Sequence, residues 1–126
     1  MNFPSNIKYT KEHEWISVQN NIGTIGITDY AQGELGDVVF VDIDPNIGEV
    51  KKGDSIGTIE AVKTVSDIFA PISGKVIEVN KELTNTPEVV NSDPYGLGWM
   101  VKIEIKDHNE LDDLLNAEQY RELVDK

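Results

Sequence analysis

The sequence predicts a mainly β domain, a sandwich or small barrel of short strands with one short helix inserted and a second helix at the C-terminus. Three observations carry this. Short runs rich in Val, Ile and Phe recur along the chain, each bounded by Gly, Pro or Asn. One segment, residues 107–124, instead spaces its leucines as a helix does. No segment is low in complexity and none repeats at solenoid length, so no boundary divides the chain. Its 126 residues suit one domain able to bury a small core.

Taken in order, Glu14–Val18 alternates as a strand does, turns at Asn20-Asn21, and pairs with Ile22–Ile27 as a hairpin. TDYAQGELG follows as a short helix: Thr28 caps it, Asp29 sits in its first turn, and Gly36 ends it with positive φ. Gly33 in its interior costs about 1 kcal/mol against Ala, so this helix must lean on tertiary packing. Val38–Ile43 is a strand stopped by Asp44-Pro45, and turns are expected at 46–48 and 52–54. Ser55–Ala61 and Val65–Ala70 then flank Val62-Lys63-Thr64 as a tight hairpin, with Pro71 closing the second strand. Ser73-Gly74 turns into the strand Lys75–Val79, residues 80–98 read as loop, and Trp99–Ile105 is the last strand. In the tail, Leu111, Leu114, Leu115, Leu123 and Val124 share a helical face, and Asp107 with Glu110 forms a capping-box pattern. Trp15, Phe40 and Trp99 are expected in the core, and Gly53 and Gly74 at turns needing positive φ.

Composition narrows the function. A formal charge of -12 opposes binding to nucleic acid or anionic membrane, both of which need cationic neutralisation. It suits docking onto more basic proteins. The chain has no cysteine, which excludes disulfides, thiolate metal sites and cysteine nucleophiles. No apolar run reaches the roughly 18 residues a membrane helix needs. The start, MNFPSNIKYT, has neither a cationic n-region with an apolar h-region nor an Arg-rich amphipathic pattern, so a cytoplasmic, bacterial-like location is expected.

Catalytic equipment is sparse. His13 and His108 lack a serine or histidine partner nearby, and no H-x-x-x-H pair, P-loop or G-x-G-x-x-G occurs. EHEW, residues 12–15, offers two carboxylates and an imidazole, but Glu12 and Glu14 read as a solvated strand edge. An acyl carrier would place its serine at a helix start, whereas Ser66-Asp67 lies in a strand pattern. A lysine at the tip of a β-hairpin is different. Lys63 is where a lipoyl or biotinyl carrier would present its amine, so that a long arm swings from a fixed point and brings reactive chemistry the chain lacks.

At this point several blocks resemble one family. GDSIGTIEAVKTVSDIFAPISGKVIEVN, around Lys63, is similar to the lipoyl-lysine segment of the glycine cleavage system H-protein family. KYTKEHEW at 8–15, IGITDYAQGELGDVVFVDI at 25–43, NTPEVVNSDPYGLGWM at 85–100 and the tail resemble that family in the same order. Biotin carriers typically flank their lysine with methionine, whereas Val62 and Thr64 flank Lys63. Lipoyl domains of 2-oxoacid dehydrogenase acyltransferases lack the EHEW and PYGLGWM blocks.

The resemblance implies a flattened β-barrel/sandwich hybrid of lipoyl/biotinyl-carrier type spanning residues 1–126, and a non-enzymatic shuttle. (R)-lipoate would be held as an amide on Lys63. The arm would take an aminomethyl group from a glycine decarboxylase (P protein) to a tetrahydrofolate-dependent aminomethyltransferase (T protein). Dihydrolipoyl dehydrogenase (L protein) would reoxidise it, and a lipoate ligase or lipoyl/octanoyl transferase would load it. Glu14 and Asp67 match acidic family positions placed to hold the arm's ammonium group in a surface cleft. Glu60, three residues before the lysine, is expected to guide the attaching enzyme.

Overall fold

The computed structural model describes residues 2–125, which fold into two antiparallel sheets and several short helices. β1 (Lys8–Tyr9), β2 (Glu14–Gln19), β3 (Ile22–Ile27), β5 (Glu49–Val50), β8 (Gly74–Val79) and β9 (Val101–Ile105) form a six-stranded sheet. Its order is β1-β2-β3-β9-β8-β5. A three-stranded sheet, in the order β4-β6-β7, contains β4 (Val38–Asp42), β6 (Ser55–Ala61) and β7 (Val65–Phe69). The barrel/sandwich architecture expected from the sequence is therefore present. Both sheets contribute to one apolar core, including Ile16, Ile25, Ile59, Ile68, Met100 and Ile103. Each such side chain contributes about 1.5–3 kcal/mol through burial.

A second, aromatic cluster holds the C-terminus. Tyr120 stacks on Tyr9 with ring centroids 4.7 Å apart, and Phe3 meets Tyr120 edge-on at 5.2 Å. The Tyr120 hydroxyl lies 2.7 Å from Thr28 Oγ1 and 2.8 Å from His13 Nδ1. Thr28 is the N-cap of α1 (Asp29–Leu35) and accepts the Ala31 amide, as its sequence position implied. One hydroxyl therefore ties the C-terminal segment to the turn at His13 and to the cap of the first helix.

The tail departs from expectation. It is not one helix but a 3-10 segment, His108–Asp113, followed by α4 (Ala117–Val124). Leu115 exchanges backbone hydrogen bonds with Tyr9 and interrupts the helix there. Leu111 and Leu114 consequently pack on the larger core while Leu115 and Val124 join the aromatic one; Leu123 is exposed. The capping box belongs to Asn116 and Gln119. Asp107 does cap its segment, by accepting the Asn109 amide, but Glu110 turns away to bind the amide and hydroxyl of Ser73. Residues 80–98 contain two single turns, α2 (Glu82–Asn85) and α3 (Val89–Ser92).

Three smaller corrections have local causes. Glu12 lies outside the strand, which begins at Glu14 as expected, because residues 10–13 make a tight turn with His13 at φ 71°. Phe40 is 44% exposed, because an irregularity between Val38 and Phe40 points Val38 and Val41 inward and Phe40 outward. Trp15 is buried as expected, and Trp99 is half-buried just before β9. Gly53 has positive φ (93°), but Gly74 does not; it is small because a Cβ there would lie 2.2 Å from the Glu104 carbonyl oxygen. Among the described residues no helix is long and apolar enough to cross a membrane.

The glycines separate two effects that thermal melting can measure. Gly74→Ala should destabilise the fold by about 3 kcal/mol, because backbone and not a pliable side chain blocks the new methyl group. Gly33→Ala, with open space around its Cβ, should stabilise by about 0.5–1 kcal/mol.

Candidate functional site

Lys63 stands exposed at the turn joining β6 and β7. The ladder runs up to Glu60 opposite Val65, and the Ala61 amide donates to the Thr64 carbonyl at 2.9 Å. The tip is also held from the side. The Val62 amide donates to the Asp37 carbonyl at 2.9 Å, and the Lys63 amide reaches the Leu35 carbonyl at 3.4 Å. The end of α1 and the start of β4 thus act as a shelf beneath the turn.

The lysine stem rests on that shelf. A Cβ at Gly36 would lie 3.4–3.5 Å from Lys63 Cγ, Cδ and Cε, so the methylenes cover the glycine. Gly36 has φ 79°, a conformation that disfavours any side chain. Among the described residues Lys63 forms no ion pair; the two present are Lys52–Asp113 and Lys102–Glu78. The stem is thus packed while the residue as a whole remains exposed. Val62 (71% exposed) and Val65 (60% exposed) border it with apolar surface.

Glu60 projects from β6 between Phe40 of β4 and Val65 of β7, its partners in the ladder. Val65, Asp67 and Phe69 share one face of β7, by the two-residue period of a strand. Their neighbours Ile68 and Ile59 are buried, so that face is the outer one. From Val65 to Phe69 this face runs about 13 Å, at ~3.3 Å per residue.

At the far end of that face lies a cleft of about 560 Å³. Thr10, Glu14, Lys52, Phe69, Pro71 and Leu114 contribute to its walls. Glu14 is only 2% exposed, which corrects its reading as a solvated edge. The Thr10 hydroxyl donates to Glu14 Oε1 at 2.6 Å, and the Phe69 amide, at the free edge of β7, donates to Oε2 at 3.3 Å. The carboxylate thereby bridges the two sheets. Burial pushes its pKa up from 4.5 to about 7, against the opposing pull of those two hydrogen bonds; the charge of Glu12 adds a smaller upward push.

Of the residues singled out in the sequence, Glu14 lines the cleft, Lys63 and Glu60 stand at the hairpin tip, and Asp67 lies between. Asp67 is exposed and outside the cleft lining, and the structure does not bring it against Glu14. Glu12 does line the cleft. Thr10, Phe69 and the shelf residues Leu35 and Asp37 were not singled out. The last two act through main-chain carbonyls, which leave no mark on side-chain identity.

The buried carboxyl has a consequence for stability. Its folded pKa exceeds its unfolded one, so the native state holds a proton that the unfolded chain has released. Stability relative to Glu14→Gln should thus fall by about 3 kcal/mol as pH rises from 4.5 through about 7, then level off. Urea unfolding of both proteins across that range checks this; a constant difference contradicts it.

The comparisons with known proteins agree with this geometry. Residues 7–126 match the family model described as glycine cleavage H-protein. The glycine cleavage system H protein of Staphylococcus epidermidis RP62A is 56% identical over 124 residues, covering 98% of both chains. That of Staphylococcus haemolyticus JCSC1435 is also 56% identical over 124 residues, with the same coverage. The crystal structure of the H protein from Mycobacterium marinum superposes with a TM-score of 0.89 at 36% identity, covering 98% of this chain and 100% of that one. This chain belongs to the glycine cleavage H-protein family, the non-catalytic lipoyl-carrier component of the glycine cleavage system.

Proposed function

We propose that residues 1–126 form one lipoyl-carrier domain in which Lys63 bears (R)-lipoate as an amide. The observation that carries this reading is an exposed lysine on a hairpin tip whose backbone is anchored to a neighbouring element. The residues fit such a group: the amine is free for acylation, the stem is seated on Gly36, and the outer face of β7 leads from the tip toward a cleft. Bound there, the dithiolane supplies the reversible sulfur chemistry that a chain without cysteine lacks.

In this reading the chain accepts an aminomethyl group at the glycine decarboxylase (P protein) and yields it at the tetrahydrofolate-dependent aminomethyltransferase (T protein). Dihydrolipoyl dehydrogenase (L protein) restores the arm, and a lipoate ligase or lipoyl/octanoyl transferase installs it. The bacterial relatives favour the cytoplasm as the place of work. The chain's own part is to present, shelter and release. Glu14 receives the cationic end of the cargo, where a charge-assisted hydrogen bond forms in surroundings poor in water. A cation there favours the ionised carboxylate. Retention should therefore strengthen as pH rises through about 7. Asp67, midway along β7, provides a second anionic contact on the route. Glu60 guides the attaching enzyme from its exposed place between Phe40 and Val65.

Incubation with lipoate, ATP and a lipoate ligase, followed by intact mass and peptide mapping, tests the attachment. One lipoyl adduct on Lys63, absent in Lys63→Arg, is expected; no adduct, or biotin taken in preference, would reject the reading. Glu60→Gln should slow the loading rate, and an unchanged rate would remove its guiding role. For the cleft, Glu14→Gln should shorten the lifetime of the aminomethyl-loaded carrier roughly tenfold, the loss of about 1.4 kcal/mol. Asp67→Asn should have a smaller effect, and an unaltered lifetime in the double variant would dismiss the cleft's protective role.

A further inference from the structure

We infer that Asn91, far from the lysine in sequence and not in contact with it, is a positioning residue that holds the shelf on which the Lys63 turn is presented. The inference rests on Lys63 being the acylated residue. Asn91 sits in α3, half-buried, and its side-chain amide makes three hydrogen bonds. Its Oδ1 accepts the Val38 amide at 2.8 Å, and its Nδ2 donates to the Gly36 carbonyl at 2.9 Å and to Gln32 Oε1 at 3.0 Å. Gln32 in turn donates to Asp29 Oδ1 at 2.7 Å, which fixes the network to the start of α1.

The two backbone groups that Asn91 takes lie on either side of Asp37. The Asp37 carbonyl points the other way and accepts the Val62 amide, while the Leu35 carbonyl accepts that of Lys63. One primary amide, offering an acceptor and two donors together, thus clamps the back of a turn whose front clamps the hairpin tip. Nothing else in the chemistry of the carrier uses Asn91. The shelf itself is poorly held by local propensity: Gly36 has φ 79°, and the helix before it contains Gly33. Without the clamp, the 35–38 turn and the tip it supports gain alternative conformations.

A tip that adopts the presented conformation only part of the time costs the attaching enzyme apparent affinity, in proportion to the competent fraction, while the bound complex reacts as before. The test uses the whole chain with lipoate, ATP and a lipoate ligase, varying the carrier concentration. Asn91→Ala should raise the KM for the carrier about tenfold, as for a competent fraction near one tenth, with kcat within about twofold of wild type. Asn91→Asp keeps the acceptor for Val38 but loses both donors, and should fall between the two while preserving the fold. Amide exchange should accelerate at Val62 and Lys63 but not at Val76 or Ile103 in the β8–β9 pair.

A residue that only braced the 80–98 loop would lower the melting temperature and leave KM and tip exchange unchanged. That result, in whichever of the two variants is folded, would overturn the inference. Accelerated exchange throughout the chain in both variants would overturn it as well, because the effect would then be global. Failure of the unaltered chain to accept lipoate at Lys63 would instead reject the reading on which the inference rests.

Discussion

The side support of the β6–β7 turn is the constraint on which the rest depends. A two-stranded hairpin is marginal by itself in water, and its tip is the part most prone to fray. Here the tip amides of Val62 and Lys63 are satisfied by carbonyls of a different element, at Asp37 and Leu35. That arrangement requires α1 to end just where it does and β4 to begin at once. It also requires Gly36 between them, because the lysine stem occupies the space a side chain would fill. The carrier function therefore draws on the helix cap, the glycine and the sheet pairing together, and not on the lysine alone.

The cleft at Glu14 is a second device, built at the junction of the sheets. β7 is an edge strand, and an unpaired edge amide is a liability. The Glu14 carboxylate satisfies the Phe69 amide at that edge while the Thr10 hydroxyl takes its other oxygen. Burial with only these two neutral donors leaves the acid close to its titration midpoint at neutral pH. An acid so poised gives up its proton readily to accommodate a cation, at some cost in stability while the cleft is empty. An exposed carboxylate such as Asp67 holds a cation more weakly, because water screens the pair.

Much of this was legible in the sequence, and what was not has physical reasons. The strand pattern, the Thr28 cap, the Gly36 terminus and the hairpin bearing Lys63 all follow from short-range chemistry, and the structure agrees with them. The leucines of the tail suggested one helix because periodicity does not register a tertiary competitor; Leu115 bonds to Tyr9 instead of continuing the helix. Phe40 was expected inside because a bulge changes which face a residue occupies without changing the composition of the strand. The sequence suggests a solvated Glu14 because the group that meets its carboxylate across the sheets, the Phe69 amide, is distant in the chain. Asn91 lies unmarked in the stretch 80–98 that reads as loop, since two of the three groups it binds are backbone groups elsewhere in the chain.

The central claim, that the lysine is presented on a rigid tip, is tested most directly by backbone amide relaxation of the isolated chain. The account predicts order parameters at Val62, Lys63 and Thr64 near those of the sheets, about 0.85, and no loss at the turn. Values below about 0.6 confined to these residues would contradict it, because a tip moving independently of its shelf would present no fixed point.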